Sequence, residues 1–582
     1  MAKNDEPRIS YRIELHDPHA HQFRVTLSVV DPAPLLRLSL PVWIPGSYLV
    51  REFARHLSQV QARQGGRRIG LTQLDKTTWQ AACKAGGAAL EVTYLVYAFD
   101  TSVRTAYLDA SRAFFNGTCL CLRVEGREDE RHALSLGKLP KGWQVAAAMR
   151  EEGSRRYVAD SYDDLVDHPF ELGRFWRGRF EAHGVPHEFV VTGAWPGFDG
   201  ARLLADAKKI CEAQIAFWHG PKKPRPPFDR YVFLLNAVDD GYGGLEHRAS
   251  TALIARRRDL PQQGVSATTE GYVTLLGLIS HEYFHAWNVK RLKPAELARV
   301  DYGRENYSSL LWFFEGFTSY YDDLLLLRAR VIDASRYLAL LAKTINGVAA
   351  TPGRKVQSVA QASFDAWVKY YRSDENTPNA TISYYTKGSL VALALDLTLR
   401  ADGATTLDDV MRHLWSESGG GPIDEAKIRE ALQALGGRSY AREIDAWVHG
   451  TGELPLGPLL GAAGVASRED RTAFTAALGL RLSEGNGGVQ VRQVLAGSAA
   501  MRAGVAAGDE LLAIDGWRLR RLDEAQQWIV PGRAFELLLV RDQRLRDVRV
   551  KPDARPTPTL SLALDGAPSN AAAVLRRAWL GA

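Results

Sequence analysis

The stretch Gly271-Tyr-Val-Thr-Leu-Leu-Gly-Leu-Ile-Ser-His-Glu-Tyr-Phe-His285 decides how the rest of the chain is interpreted. Its apolar residues recur at helical spacing, and Thr268 stands shortly before it as a candidate N-cap. We therefore predict a helix here. This helix carries His281, Glu282 and His285 in the pattern H-E-x-x-H.

The H-E-x-x-H pattern favours a zinc site. Residues four apart on a helix share one face, so the imidazoles of His281 and His285 can reach one zinc ion. Glu282 then lies beside them and can accept a proton from a zinc-bound water. The alternative is a pair of histidines that are hydrogen-bonded in a protein core, with no metal.

A catalytic zinc needs a third protein ligand and an open position. Glu315 lies in Leu310-Leu-Trp-Phe-Phe-Glu-Gly-Phe-Thr-Ser-Tyr-Tyr321, where an unpaired buried carboxylate would be costly. Binding to a cation would remove that cost. Otherwise Glu315 belongs to a polar stripe of a helix with Thr318 and Asp322. The histidine pair needs a partner on a later helix, which favours the ligand.

The segment Gly241-Tyr-Gly-Gly-Leu-Glu-His247 lies between two predicted strands. Gly243 and Gly244 permit close approach of a peptide backbone, and Glu246 can hold a free α-ammonium group. These three residues are therefore candidates for substrate binding. A glycine turn with a surface glutamate explains the segment equally well when it is taken alone.

Tyr385 stands just before the predicted helix Gly388 to Arg400. A phenol at that place near zinc can donate a hydrogen bond to the oxyanion of a tetrahedral intermediate. Tyrosine is also common in turns that precede helices, so the position alone does not assign this role.

The composition is that of a globular, multidomain protein. The chain has 582 residues, 46% of them hydrophobic and 24% charged, which excludes a disordered, collagen-like or coiled-coil protein. The net charge is +6, and no run of Lys and Arg is long enough to follow a phosphate backbone. We expect no nucleic-acid binding, and the four cysteines are expected to be structural and reduced.

No membrane span is predicted, because nowhere do 18 uncharged apolar residues follow one another. The first residues lack the apolar region of a signal peptide. As written, the sequence favours a cytoplasmic protein, or a periplasmic one if a signal peptide has been removed.

The organisation changes along the chain. Short alternating runs from Ile9 to about Val191 predict a β-rich domain. Helical periodicity follows between about Arg230 and Trp447, and the Gly, Pro and Ala content of Gly450 to Ala466 predicts a linker. The predicted helices are Val273 to Val289, Leu310 to Arg330, Ser335 to Ala349, Gly388 to Arg400, Ile428 to Leu435 and, at the end, Asn570 to Leu580.

Seven stretches of the chain together resemble the glycyl aminopeptidase family of zinc metallopeptidases, distant relatives of the aminopeptidase N group. The likeness extends over nearly the full length. It is carried by Pro41-Val-Trp-Ile-Pro-Gly-Ser-Tyr-Leu-Val-Arg-Glu-Phe-Ala-Arg-His56, Arg104-Thr-Ala-Tyr-Leu-Asp109, Phe114-Phe-Asn-Gly117, Gly243-Gly-Leu-Glu-His247, His281 to Pro294, Leu311 to Tyr321 and Tyr385-Thr-Lys-Gly388.

The resemblance implies a role for each candidate residue. It implies His281, His285 and Glu315 as zinc ligands, Glu282 as general base, Tyr385 as oxyanion donor and Glu246 as the anchor of the substrate amine. It also implies a preference for N-terminal Gly or Ala, with Tyr242 or Phe114-Phe115 as bulky residues that can narrow the pocket. The spacing between His285 and Glu315 is longer than in the aminopeptidase N group.

The segment from about Thr472 to Lys551 resembles a PDZ domain. Leu478, Gly479 and Leu480 match its carboxylate-binding loop, and Leu522 to Ile529 would be the helix beside the groove. Such a domain captures the C-terminus of a peptide on a strand edge. The alternative is a domain retained for packing.

The sequence thus predicts a multidomain α+β protein. The expected parts are a β-rich domain (1–190), a thermolysin-like zinc-peptidase domain (191–350) with a helical part (351–460), a PDZ domain (467–553) and a C-terminal tail (554–582). The expected function is a zinc-dependent aminopeptidase that acts on peptides with a free N-terminus. A zinc endopeptidase with PDZ-assisted substrate capture is the alternative. A peptide-binding scaffold with a vestigial metal site is the third possibility.

Overall fold

A computed structural model describes residues 6–220, 222, 225–470, 474–485, 488–521, 525, 527–554 and 558–581. The chain divides into two compact units. The first comprises Met1–Asn306, Ala329–Val331 and Trp415–Ile423, and the second comprises Tyr307–Arg328, Ile332–Leu414 and Asp424–Ala582.

The N-terminal part of the first unit is built from three sheets, which confirms the predicted β-rich domain. In spatial order, the eight-stranded sheet contains Arg150–Glu151, Arg156–Ala159, His132–Leu136, Ile9–Asp17, Gln22–Val29, Leu90–Tyr97, Leu57–Gln64 and Arg67–Arg68. The first four-stranded sheet contains Gln144–Ala146, Phe170–Gly173, Arg112–Phe115 and Ala106–Leu108. The second contains Arg123–Val124, Leu35–Ser39, Thr78–Ala82 and Leu71–Gln73. Short helices lie at Phe53–His56, Gly117–Leu120 and Tyr162–Val166.

A five-stranded sheet in the first unit supports the H-E-x-x-H helix. Its order is Trp176–Ala182, Val185–Thr192, Tyr231–Val238, Ser250–Arg256 and Gly243–Glu246. Tyr231–Val238 pairs in parallel with both of its neighbours and is almost entirely buried, as is usual for a central parallel strand. The accompanying helices are Gly200–His219 and Glu270–Phe284, with short turns of 3-10 helix at Arg257–Asp259 and Ala295–Leu297.

The predicted domain boundary at residue 190 falls within the strand Val185–Thr192. This strand pairs with Tyr231–Val238, and the strand Trp176–Ala182 pairs with it in turn. Both strands therefore belong to the sheet beneath the H-E-x-x-H helix. Their alternating pattern alone did not distinguish them from the strands of the preceding sheets.

The H-E-x-x-H helix runs over Glu270–Phe284 rather than from Val273 to Val289. Its N-cap is Thr269, one residue after the predicted Thr268, and the Thr269 hydroxyl accepts from the backbone N–H of Tyr272. The helix ends early because the chain turns away after His285. Val289 has a φ of 112°, which no helical residue can have.

The second unit is mainly helical. Its helices are Leu311–Phe314, Gly316–Arg328, Ala334–Ala349, Val359–Phe364, Thr377–Ala380, Thr386–Asp402, Glu425–Gly436, Ala441–Ile444, Leu456–Ala462 and Asn570–Leu580. Leu407–Ser418 begins in this unit and ends in the first. Single turns of 3-10 helix lie at Pro352–Lys355 and Asp365–Trp367, and a π-helical turn lies at Asp445–His449. The predicted helix Leu310 to Arg330 is divided at Glu315.

The region predicted as a linker, Gly450 to Ala466, is not one. It contains the helix Leu456–Ala462 and the start of the strand Val465–Asp470, which pairs antiparallel with Thr559–Leu564. The Gly, Pro and Ala content was compatible with a linker, but the segment forms regular secondary structure. This two-stranded ladder brackets the PDZ region, so the predicted tail begins as part of the same ladder.

The PDZ region is a small sheet with its own core. The strands Leu480–Gly485, Gly488–Val494, Glu510–Ile514, Phe535–Arg541 and Arg544–Val550 follow one another in space, and Trp517–Arg518 pairs with Glu510–Ile514. Short helices lie at Phe474–Leu478 and Ala499–Arg502. Half of the predicted helix Leu522 to Ile529 lies outside the described residues. Among the helices of the described ranges, none is both long and apolar enough for a membrane crossing.

Candidate metal centre and peptide-binding site

The two histidines of the motif meet on the last turn of the Glu270–Phe284 helix and its cap. The Nε2 atoms of His281 and His285 lie 3.0 Å apart. This separation is close to what one zinc ion imposes on two ligand nitrogens, each at about 2.0–2.1 Å from the metal. The arrangement therefore fits a shared metal ion.

A backbone carbonyl fixes the orientation of the second imidazole. His285 Nδ1 lies 2.8 Å from the carbonyl oxygen of Asn288, and this oxygen can only accept a hydrogen bond. His285 therefore carries its proton on Nδ1, and Nε2 keeps the lone pair that a metal needs. Carbonyl partners of this kind are usual for metal-binding histidines. The carbonyl of Asn288 was not predictable from the sequence, because nothing in the motif marks a backbone acceptor.

Two buried carboxylates lie beside His285. One atom each of Glu246, Glu282 and His285 lies within 4.8 Å of the others, and Glu246 and Glu282 are 4% and 5% exposed. Two carboxylates in a low-dielectric site repel each other, and a cation relieves this repulsion. Imidazole and carboxylate donors are those that zinc takes in hydrolases.

The strand Gly243–Glu246 brings Glu246 to the helix. It forms an antiparallel pair with Ser250–Arg256 at the edge of the five-stranded sheet. At Gly244, an added Cβ would overlap the carboxylate of Glu282. Residue 244 must therefore be glycine because of the Glu282 side chain of the same chain, and not only to let a substrate backbone approach. Arg104 fixes the strand by donating to the carbonyl of Gly244 at 3.0 Å.

A small cavity lies behind Glu246. It encloses about 50 Å³ and is bordered by Trp43, Gly46, Tyr48, Lys290 and Tyr302, among other residues. None of the three H-E-x-x-H residues lines it. The cavity therefore borders Glu246 without reaching the H-E-x-x-H residues.

The second unit carries the other two predicted site residues. Glu315 joins the helices Leu311–Phe314 and Gly316–Arg328 and is 2% exposed. Tyr385 is the N-cap of Thr386–Asp402, and its hydroxyl lies 3.3 Å from that of Tyr371. Burial and the nearby Glu315 carboxylate hold the pKa of Tyr385 well above its usual value. Tyr385 is therefore a protonated hydrogen-bond donor at neutral pH.

Two glycines allow the helices of Glu315 and Tyr385 to pack closely. A Cβ on Gly316 would lie 2.6 Å from the Cα of Gly388, and a Cβ on Gly388 would lie 2.7 Å from the carbonyl oxygen of Trp312. Gly316 directly follows Glu315, and Gly388 closes the Tyr-x-Lys-Gly motif. The motif glycine thus has a packing role that explains its place.

Two of the three aromatic residues suggested as pocket walls lie in a protein core. Phe114 and Phe115 are 3% and 0% exposed in the core of the β-rich domain, and Phe115 stacks on Phe170 at 5.0 Å. They do not form a pocket, because they belong to a sheet interior. Tyr242 is 62% exposed.

The predicted carboxylate-binding loop of the PDZ region has a left-handed glycine. Gly479 has a φ of 69°, and a Cβ there would overlap the side chain of Ser498. Leu478 and Leu480 are buried on either side. The strand Leu480–Gly485, which follows, is at the edge of its sheet, as strand addition by a peptide requires.

Comparisons with known proteins identify the family of the chain. Three family models match: the Peptidase M61 N-terminal domain at residues 10–174, the M61 glycyl aminopeptidase at 274–391 and a PDZ domain at 490–541. The comparison with curated proteins gave no match.

Solved structures give the strongest likeness. The crystal structure of an aminopeptidase N family protein from Idiomarina loihiensis is 35% identical, covers 98% of this chain and 100% of its own, and has a TM-score of 0.93. An M1 zinc metallopeptidase from Deinococcus radiodurans is 15% identical, with 78% of this chain and 95% of its own covered and a TM-score of 0.48. The chain belongs to the M61 glycyl aminopeptidase family of metallopeptidases, and it carries a PDZ domain near its C-terminus.

Proposed function

We propose that this metallopeptidase removes N-terminal residues, with Gly and Ala preferred, from peptides whose α-amino group is free. The observation that carries the proposal is the group around His285. There, a second imidazole nitrogen lies 3.0 Å away, and the carboxylates of Glu246 and Glu282 are both within 4.8 Å. In the proposal His281 and His285 hold zinc. Glu315 is proposed as the third ligand because it is a carboxylate in an apolar stretch of sequence and because the family resemblance implies that role.

When bound, zinc supplies Lewis-acid activation of water and of the scissile carbonyl. Glu282 accepts the proton of the attacking water and then passes it to the leaving amine. Its burial keeps it close to its partners and away from bulk water. Tyr385 donates its phenolic hydrogen to the oxyanion, and its raised pKa keeps that hydrogen in place.

Glu246 is proposed to bind the substrate ammonium group. A carboxylate that is 4% exposed would form a desolvated charge pair with that ammonium group. Such a pair fixes the distance between the N-terminus and the histidine pair, so that only the first peptide bond is cleaved. We also propose that the backbone of Gly243 and Gly244 faces the substrate.

The endopeptidase remains the second candidate function, because the PDZ region offers an edge strand for peptide capture. In our proposal the loop of Leu478, Gly479 and Leu480 receives a peptide C-terminus. We also keep the five-part domain division, with its first boundary moved to before Trp176, as a proposal.

Hydrolysis of glycyl-, alanyl- and leucyl-p-nitroanilide tests the proposal, together with zinc analysis of each protein. Glu282→Gln should retain zinc and lose at least about 10³-fold in kcat, as expected for a lost proton acceptor with its electrostatic role. Glu246→Ala should mainly raise KM. Glu270→Gln is the matched control, since it makes the same chemical change at an exposed position of the same helix.

N-terminal acetylation of a peptide separates the two candidate functions. An aminopeptidase loses activity on the acetylated peptide, whereas an endopeptidase cleaves it. Zinc-loaded protein that cleaves only the acetylated peptide would exclude the aminopeptidase. Equal rates on leucyl and glycyl substrates would exclude the proposed preference alone.

A further inference from the structure

A tight turn in the first unit carries the Trp-Ile-Pro-Gly-Ser sequence. The backbone N–H of Ser47 donates to the carbonyl of Ile44 at 3.0 Å, so Pro45 and Gly46 are the two central residues of a β-turn. Gly46 has a φ of 95°. Proline followed by a residue with positive φ defines a type II turn, and glycine is favoured at the second position.

The turn lies directly on the carboxylate of Glu246. A Cβ on Gly46 would be 2.5 and 2.6 Å from the two carboxylate oxygens. No side chain fits between the turn and the glutamate. The two residues are 200 positions apart in the chain, and both border the small cavity described above.

Neighbouring bonds hold the turn in place. The indole Nε1 of Trp43 donates to the carbonyl of Asp301 at 2.8 Å, and the backbone N–H of Val42 donates to the carbonyl of Tyr302 at 2.8 Å. Trp43 and Tyr48 are 1% and 2% exposed. The turn is thus fixed to the segment that follows the H-E-x-x-H helix, within the same unit.

We propose that the Pro45-Gly46 turn is a positioning element of the amine-binding subsite, which holds the Glu246 carboxylate in the orientation that accepts the substrate ammonium group. This inference rests on the proposed function, because it requires Glu246 to be the amine anchor. It assigns a role to the Trp-Ile-Pro-Gly-Ser sequence. The turn closes one side of the Glu246 carboxylate.

Gly46→Ala tests the proposal, with Gly153→Ala as its control. Gly153 has nearly the same φ, 96°, and nothing lies within 4 Å of the Cβ that it would gain. The control therefore has the same backbone strain without the contact to a carboxylate. Trp43→Phe is a milder second variant, because it removes the indole donor and some volume but keeps an aromatic ring.

Two inhibitors separate amine binding from metal binding. Glycinamide offers an ammonium group, whereas acetohydroxamic acid binds zinc and has no amine. In Gly46→Ala the inhibition constant of glycinamide should rise by at least about 10-fold, as expected when a desolvated charge pair is displaced. The constant of acetohydroxamic acid should stay within about 2-fold, with zinc content unchanged, since positioning acts on the amine alone. Trp43→Phe should show the same pattern with a smaller rise, and KM should rise more than kcat falls.

Three results would overturn the inference. They are an unchanged glycinamide constant in Gly46→Ala, an equal loss of both inhibitors, and the same loss in Gly153→Ala. If Gly46→Ala does not fold, an unchanged inhibition constant of glycinamide in Trp43→Phe would overturn the inference instead. Glu246→Gln separates this outcome from failure of the proposed function. If this variant, with a neutral side chain at position 246, binds glycinamide as tightly as the wild type, then Glu246 is not the amine anchor and the proposed function fails at that residue.

Discussion

The ammonium nitrogen of Lys290 lies 2.8 Å from a carboxylate oxygen of Asp167. Both side chains are less than 10% exposed, and the backbone N–H of Arg248 donates to the other carboxylate oxygen at 2.8 Å. The pair joins the loop that follows the H-E-x-x-H helix to the C-terminal end of the helix Tyr162–Val166. It therefore fixes the chain five residues after His285.

Removal of Lys290 should leave a buried, uncompensated charge. We expect Lys290→Met to lower the free energy of unfolding by about 3 kcal/mol, and the double variant with Asp167→Asn to recover part of this loss. Urea denaturation of the three proteins measures both values. Arg256→Met breaks the exposed pair with Asp240 and should have almost no effect. A loss in Lys290→Met no larger than in this control would contradict the prediction.

The same pair predicts a pH dependence of stability. Burial alone would raise the pKa of Asp167, but Lys290, Arg248 and His247 outweigh it and hold this pKa well below its ordinary value. The folded state therefore binds this proton less readily than the unfolded chain. The resulting stabilisation is complete above the unfolded-state pKa of about 3.9 and is lost as the pH falls through the lower folded-state value.

Asp167→Asn should reveal this contribution. The difference in the free energy of unfolding between the wild type and this variant should be constant from pH 5 to 7 and should decrease below about pH 4. Urea titrations at several pH values measure it. A difference that grows on acidification would have the wrong sign.

Tyr385→Phe should lower kcat with little change in KM. The buried phenol stays protonated because its pKa is raised, so it can donate to an oxyanion throughout the working pH range. Loss of one such donor costs about 10²–10³ in kcat. Tyr384→Phe, the same change at the adjacent residue, serves as the control, and zinc content should be unchanged in both. An equal effect of the two variants would argue against a specific role of Tyr385.

Asn379 connects the PDZ region to the helical part of the second unit. Its side-chain amide donates to the carbonyl of Val494 at 2.9 Å, and its amide oxygen accepts from the backbone N–H of Ala496 at 2.7 Å. We expect Asn379→Ala to increase hydrogen exchange in the strand Gly488–Val494, because two hydrogen bonds at the junction are lost.

Asn346 provides a matched comparison for Asn379. It makes the same pair of bonds, both at 2.8 Å, to the backbone of Leu560. Asn346→Ala should therefore increase exchange in Thr559–Leu564 and leave Gly488–Val494 unchanged. If both variants affect both strands equally, the two junctions do not act separately.

The sequence was most informative where function depends on local spacing. His281, Glu282 and His285 were found from a helical motif, since residues on one helix face are set by a fixed period. The helix Asn570–Leu580 was predicted with the bounds that the structure shows. Both cases depend only on residues that are close together in the chain.

Relationships between distant residues were not predictable. Gly46 and Glu246 meet only because two segments far apart in the chain pack together, and no local pattern encodes this. Phe114 and Phe115 looked like pocket walls but are core residues, because aromatic side chains are as suitable for burial as for substrate contact. Glu315 interrupts its helix, whereas periodicity had predicted one continuous element.

The C-terminal helix Asn570–Leu580 is anchored by a buried tryptophan. Trp579 is 0% exposed, and its Nε1 donates to the hydroxyl of Tyr320 at 3.0 Å, which in turn donates to the carboxylate of Asp396 at 2.6 Å. Tyr320 lies on the helix that follows Glu315, and Asp396 lies on the helix that follows Tyr385. The bond from Tyr320 to Asp396 therefore joins these two helices, and Trp579 ties the C-terminal helix to it.

Trp579→Phe should destabilise the protein by about 1–2 kcal/mol, because it removes one buried hydrogen-bond donor and some volume. Trp579→Ala should cost about 3–5 kcal/mol, as other deletions of large buried side chains do. Val574→Ala alters the same helix at a site that is 58% exposed and should stay within about 0.5 kcal/mol of the wild type. Urea denaturation measures all three. If Trp579→Ala were no more destabilising than Val574→Ala, the helix would be an appendage, and the link between the Glu315 and Tyr385 helices would not depend on it.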